Sequence, residues 1–176
     1  MARIDVSEMN TGSEDMDVLA EVSDLINRES KYLDQRQWDD WLDLYSDDAV
    51  FWAPSWSAED TLIEDPKTSL NLVFLEGRGR LEDRVFRIET EDSYASMPLD
   101  RTVHVVGNIT VDGRNNGSIH ASANAIVHSY GRHGAQTTGN LYEYILSDSE
   151  GRLKIKQKKI ILIDDAIAGP IDIYHF

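Results

Sequence analysis

Five histidines are spread along the 176-residue chain, and imidazole beside carboxylate is the metal-holding chemistry they offer. Their spacing works against a shared ion. His120 and His128 fall on one face of one expected strand, but eight residues of extended chain separate them by about 26 Å. His128 and His133 straddle a bend at Gly131, with no carboxylate at local ligand spacing. His104 can approach His120 across a hairpin, yet two imidazoles without a third ligand make a weak site. A facial triad of two histidines and one carboxylate is therefore a minor reading, and no residue is assigned to a metal.

Acid–base chemistry has more candidates. Asp34, Tyr45, Asp48, His104 and His120 carry the right groups for proton transfer in a cone-shaped cavity. Each also has an ordinary use: Asp48 suits a turn, Tyr45 a core edge, His104 a strand face that meets another surface. No spacing brings two of them together, so none is assigned to catalysis. Gly77 and Gly79 lack the third glycine and the strand–turn–helix setting of a dinucleotide site, so none is assigned to a cofactor.

The sequence contains no cysteine. Disulfides, thiolate zinc, cysteine nucleophiles and thiolate-bound iron–sulfur clusters are excluded by that count alone. The net charge of −15 argues against binding phosphates. Residues 1–65 hold 18 acids against 4 bases, while the rest of the chain is nearly balanced. That asymmetry reads as a solvated acidic face, or as a surface that meets a basic patch on a partner or on another copy. No apolar run approaches the roughly 18 residues of a membrane span, and no apolar leader precedes the domain, so a cytoplasmic protein is expected.

The elements that would position these groups come in two blocks. Val18, Val22, Leu25, Ile26 and Leu33 trace one face of a helix predicted over 15–35, with Glu29 the sole break in the apolar stripe. Thr11 and Glu14 have capping-box spacing, so 1–14 is expected to be a flexible tail and 15–176 a single domain. Trp38, Trp41, Leu42 and Tyr45 share one side of a second short helix, and Ala49–Trp52 reads as a strand ended by Pro54. Four tryptophans between 38 and 56 offer a stacking box, but aromatics at this spacing more often build core.

A polar loop over 55–66 precedes a strand at 69–75, and Leu81, Val85 and Ile88 mark a third helix beginning at Leu81. Arg78, Arg80, Arg84 and Arg87 beside it are expected to pair with nearby acids such as Glu82 and Asp83. From Val103 onward the period is two. Strands are expected over 103–111, 118–128, 136–147 and 152–163, with a Gly/Asn turn at 112–117. Lys154, Lys156 and Lys158 alternate on one face of the last strand, which suits a solvated sheet edge. Helices followed by a run of long strands imply an α+β fold, with the helices packed on one face of a curved antiparallel sheet.

Three segments, taken in order, resemble one family. QWDDWLDLYSDDAVFWAP (37–54), LEDRVFRIET (81–90) with DRTVHVVGNITV (100–111), and the ending GPIDIYHF (169–176) are similar to the β subunits of bacterial aromatic ring-hydroxylating dioxygenases. The resemblance covers most of 15–176; the loop at 55–67 matches nothing in it. It implies a cone-shaped fold of the nuclear transport factor 2 or ketosteroid isomerase type. It also implies assembly with a larger α subunit, commonly as three α and three β chains. In such complexes the α subunit carries a Rieske 2Fe–2S cluster and a mononuclear Fe(II), and a separate reductase supplies electrons from NADH. The β subunit is then structural, which agrees with the absence of cysteine here, and the tail's wording favours aromatic-acid members. His104, Asn108, Asn124, His128, Tyr174 and Phe176 are the expected subunit-interface residues. Two other functions remain open: a free-standing isomerase or dehydratase working in the cone cavity, and a non-catalytic binder of a small aromatic molecule.

Overall fold

The computed structural model describes residues 6–67, 70–90, 97–149, 151–164, 167 and 169–176, with the backbone alone at 6–13 and 149. Helix α1 spans Val6–Gln35 and buries Val22, Leu25, Ile26 and Leu33, the stripe read from the sequence. It begins earlier than expected. Thr11 lies inside the helix rather than capping it, and residues 6–14 of the expected tail are helical. No proline interrupts 6–35, and acids near the N-terminus suit the helix dipole, which outweighs the poor helix formers Thr11, Gly12 and Ser13.

Helix α2 (Trp38–Leu42) turns the chain into strand β1 (Tyr45–Pro54), which pairs with β2 (Asn71–Glu76). Three of the four tryptophans, Trp38, Trp41 and Trp52, are buried, as core-forming aromatics should be. Trp56 is part-exposed and donates from its indole N–H to the Leu162 carbonyl at 2.6 Å, tying the loop after β1 to the sheet. Helix α3 (Arg78–Glu89) starts one turn before Leu81. Gly77, at φ 88°, is the N-cap that allows this sharp entry.

Strands β3 (Arg101–Asn115), β4 (Ser118–Gly131), β5 (Gly134–Ser149) and β6 (Arg152–Leu162) complete one sheet in the order β2-β1-β6-β5-β4-β3. All neighbours are antiparallel except β1 and β6, which run parallel, so the sheet is mixed. The turn expected at 112–117 shrinks to Asn116 and Gly117, both at positive φ (50° and 78°), the geometry that matches strand twist. β3 is an edge strand, and α1 packs beside it.

Two bulges decide which residues face inward. In β3 the register slips between Gly107 and Thr110, and Asn108 takes φ 53° there. Before the slip, Val103 and Val105 point outward and His104 and Val106 inward; after it, Ile109 and Val111 turn toward the core. In β6 the register slips at the pairing with Ile145 and Leu146. Ile155 is inward before that slip and Lys158, Ile160 and Leu162 after it, so Lys158 does not share the exposure of Lys156.

Candidate functional site

The most polar part of the interior is built on the one break in the α1 stripe. Glu29, with no solvent exposure, faces Lys158, also fully buried, and the ammonium lies 2.8 and 2.9 Å from the two carboxylate oxygens. Tyr45 donates to Glu29 Oε1 at 2.9 Å, Trp41 to the same oxygen at 3.2 Å, and Tyr144 to Oε2 at 3.3 Å. Lys158 also sits 4.3 Å from the Tyr142 ring centre and 5.7 Å from that of Phe51. Burial by itself would raise the Glu29 carboxyl, but the Lys158 ammonium and the bonds from Tyr45 and Trp41 hold it below the ordinary value of 4.5. Burial and the Glu29 charge push the hydroxyls of Tyr45 and Tyr144 well above the usual tyrosine range. Phenols so hard to ionise, and a carboxylate whose oxygens are both occupied, form a structural polar core rather than an acid–base pair.

A second network anchors the C-terminal segment to α1, α3 and β3. His104, whose side chain is fully buried, lies between Asp34 Oδ1 at 2.6 Å from Nδ1 and the Phe176 backbone oxygen at 2.8 Å from Nε2. The His104 backbone N–H and the Thr102 hydroxyl also donate to Asp34, each at 2.9 Å. Burial would raise the Asp34 carboxyl, and these bonds bring it below its ordinary value. A short 3-10 turn at Ile173–His175 is capped by Asp172, which pairs with Arg84 of α3 at 2.7 Å. His175 Nδ1 accepts from the Asp172 backbone N–H at 2.9 Å, and its Nε2 lies 3.3 Å from Asp100. Burial draws the His175 imidazole down, against the pull of Asp100. The Asp100 carboxylate occupies space that only glycine leaves, since a Cβ at Gly131 would collide with it.

These positions sort the sequence-derived candidates. Asp34 and His104 do converge, but both are consumed in holding the tail. Tyr45 belongs to the separate Glu29 cluster, Asp48 is exposed beside Ser46 and Lys156, and His120 is exposed on β4. Of the expected interface residues, Asn108, Asn124 and His128 are exposed. His104, Tyr174 and Phe176 are instead buried within the chain, because the β3 bulge sets His104 inward and the tail folds back onto Phe51 and Trp38. Lys158, expected on a solvated edge, is the buried cation. Its only sequence signal is Glu29, a charge in an apolar stripe that needs a partner. Arg84 pairs across the fold rather than with its local acids.

Among the described residues no three His, Asp or Glu side chains are grouped to hold a metal. The donor set does not fit the iron groups implied by the resemblance: a Rieske cluster needs thiolates the sequence lacks, and both nitrogens of His104 are engaged.

The outer face of the sheet is different in kind. Val103, Val105, Ile126, Tyr130, Leu141 and Ile163 are between 42% and 62% exposed. Cross-strand register sets Val105 against Ile126, Val103 against His128, Asn124 against Leu141, and Ile126 against Gly139. At Gly139 a Cβ would strike Ile163, so the glycine lets that side chain lie flat on the face. Apolar side chains from four adjacent chain segments thus form one outward surface, with Asn124 and His128 among them.

Comparison with known proteins places this architecture. The family model for the ring hydroxylating beta subunit matches residues 28–169. The chain is 38% identical over 157 residues to the benzoate 1,2-dioxygenase subunit beta of Acinetobacter baylyi, covering 89% of this chain and 93% of that one. It is 39% identical over 160 residues to the 2-halobenzoate 1,2-dioxygenase small subunit of Burkholderia cepacia, covering 91% and 94%. The crystal structure of the benzoate 1,2-dioxygenase beta subunit from Burkholderia mallei superimposes with a TM-score of 0.73 at 33% identity, each chain covered completely. With a matching family model, relatives above 30% identity along nearly the whole length and the same fold, this chain belongs to the ring-hydroxylating β-subunit family.

Proposed function

We propose that this chain is the structural β subunit of an oxygenase that adds dioxygen to an aromatic acid, and that three copies seat three α subunits. The Rieske cluster and the mononuclear Fe(II) then sit on α, with electrons drawn from NADH through a separate reductase, in the cytoplasm. The substrate class follows the benzoate and 2-halobenzoate named for the relatives. No residue of this chain is assigned a catalytic role, because the ionisable groups of its two interior networks are committed to packing.

The outward apolar face of β3–β6 is the observation that carries the reading. Valine, isoleucine, leucine and tyrosine at half exposure are costly to leave in water, and covering them stabilises an assembly by roughly 25 cal/mol for each Å² of apolar surface removed from solvent. A permanent subunit interface is their natural use. The test is a double substitution, Val105→Asp with Ile126→Asp, in the full chain co-expressed with its α subunit. The variant should keep the wild-type circular dichroism spectrum yet lose self-association or α capture in light scattering and co-purification. Unchanged assembly would refute the role of this face. Stoichiometric iron in the purified chain, or turnover of benzoate by it alone, would refute the structural assignment.

A further inference from the structure

Where the C-terminal end of α1 meets the start of β3 lies a shallow cleft lined by Met97, Leu99 and Tyr130 and rimmed by Arg36, Arg101 and Arg132. All three guanidiniums are on exposed residues, and among the described residues none has a carboxylate partner. Arg36 donates to the carbonyls of Leu99 and Asp100, and Arg101 lies 5.3 Å from the Tyr130 ring centre. Arg36 sits at φ 56°, a left-handed conformation that non-glycine residues adopt at a cost, and one that delivers its side chain to this rim. In a chain of net charge −15, three arginines around an apolar floor with no carboxylate partner among the described residues stand apart.

The complementary surface is toward the other end of α1, about 30 Å away along the helix. Met16 is 73% and Leu19 39% exposed, and with the exposed Ala20 they form a second, short apolar ridge outside the buried stripe. Asp17, Glu21 and Asp24, spaced four and three residues apart, run beside it as an acidic stripe. Asp24 pairs with Arg28, whereas among the described residues no cation pairs with Asp17 or Glu21.

We propose that, in the homo-oligomer, the acid-flanked Met16–Ala20 ridge of one copy docks into the arginine-rimmed cleft of the next. The inference rests on the self-assembly reading above and gives it direction. Ridge and cleft are different surfaces at opposite ends of one edge, so the contact is head-to-tail. Such a contact repeats around a closed ring when its rotation closes, and three copies need a rotation of about 120°. Apolar contact anchors the seat while charge selects the partner, since the acidic ridge repels any surface like itself.

Sedimentation velocity on the full chain tests this with three variants. Arg101→Glu with Arg132→Glu should raise the dissociation constant for self-association at least about tenfold, and so should Asp17→Lys with Glu21→Lys. All four changes together should bring it back to within about threefold of the wild type, because the charges are exchanged rather than lost. Raising salt from about 0.05 to 0.5 M should weaken the wild type in the same direction. Wild-type assembly that ignores all three variants overturns this contact while leaving the structural reading standing. Loss of α capture with self-assembly intact also overturns it, by placing α in the cleft. A wild-type chain that stays monomeric and ignores α defeats the self-assembly reading itself.

Discussion

Replacing Lys158 by methionine removes the one counter-charge of a carboxylate with no solvent exposure. Glu29 would keep Tyr45 at 2.9 Å, Trp41 at 3.2 Å and Tyr144 at 3.3 Å, but would lose ammonium contacts at 2.8 and 2.9 Å. Three neutral donors cannot replace a paired charge in a dry interior, and breaking one side of a buried pair costs about 3–5 kcal/mol. For a chain of this length each kcal/mol moves the melting temperature by about 2–4 °C, so the expected loss is roughly 6–20 °C.

The second arm of the cycle is informative because Glu29 has two jobs. Glu29→Gln with Lys158→Met removes both charges while leaving an oxygen for Tyr45 and Trp41, so it should cost less than the sum of the single changes by about 2 kcal/mol. Glu29→Leu with Lys158→Met should recover the same charge coupling yet remain less stable than the glutamine double variant, since it strands three buried donors at about 1–3 kcal/mol each. Urea unfolding followed by near-ultraviolet circular dichroism, at one fixed protein concentration, measures each variant in turn. Additive costs, or a Lys158→Met loss below about 1 kcal/mol, would refute the claim that the pair is strongly coupled.

Acidification gives a test of opposite signs: Glu29 and Asp34 both have carboxyls held below their ordinary values of 4.5 and 3.8, so their stabilisation is present above those values and is lost as pH falls through the depressed ones. The wild type should therefore lose stability on titration below about pH 4.5, whereas Lys158→Met, with burial left to raise Glu29, should gain stability as pH falls from neutrality toward that value; melting curves between about pH 3 and 7 decide. Phe176→Ala deletes a 1%-exposed ring packed 6.3 Å from Phe51 and should cost about 3–5 kcal/mol in the same urea assay, with a loss below about 1 kcal/mol showing that the tail is not part of the core.

Much of the fold was legible because long segments kept one period. The apolar stripe of α1 and the alternation of β4 buried the residues they marked, and Asn116-Gly117 made the hairpin its residue types favour. The start of α1 was missed because a capping spacing at Thr11 competed with a longer helical run, and local signals do not rank themselves. The interior cluster was half legible: Glu29 stood out as a charge among apolar neighbours, while its partner was disguised among alternating lysines. Alternation assigns faces only while register holds, and the slip in β6 broke that rule at the decisive residue. The burial of the tail is not legible in the sequence for a different reason. Tyr174 and Phe176 are equally suited to a partner or to the chain's own core, and only tertiary geometry chooses between them.

The extra residue at Asn108 has a further effect on what variation β3 tolerates. Val103 and Val105 before it face solvent, whereas Ile109 and Val111 after it pack inward, although all four belong to one continuous strand. Loss of that single position would swap their allegiances, sending Val103 and Val105 inward or turning Ile109 and Val111 out to water. A one-residue deletion here should consequently do more harm than several point changes on either side, because it exchanges the outward and inward faces of half the strand at once.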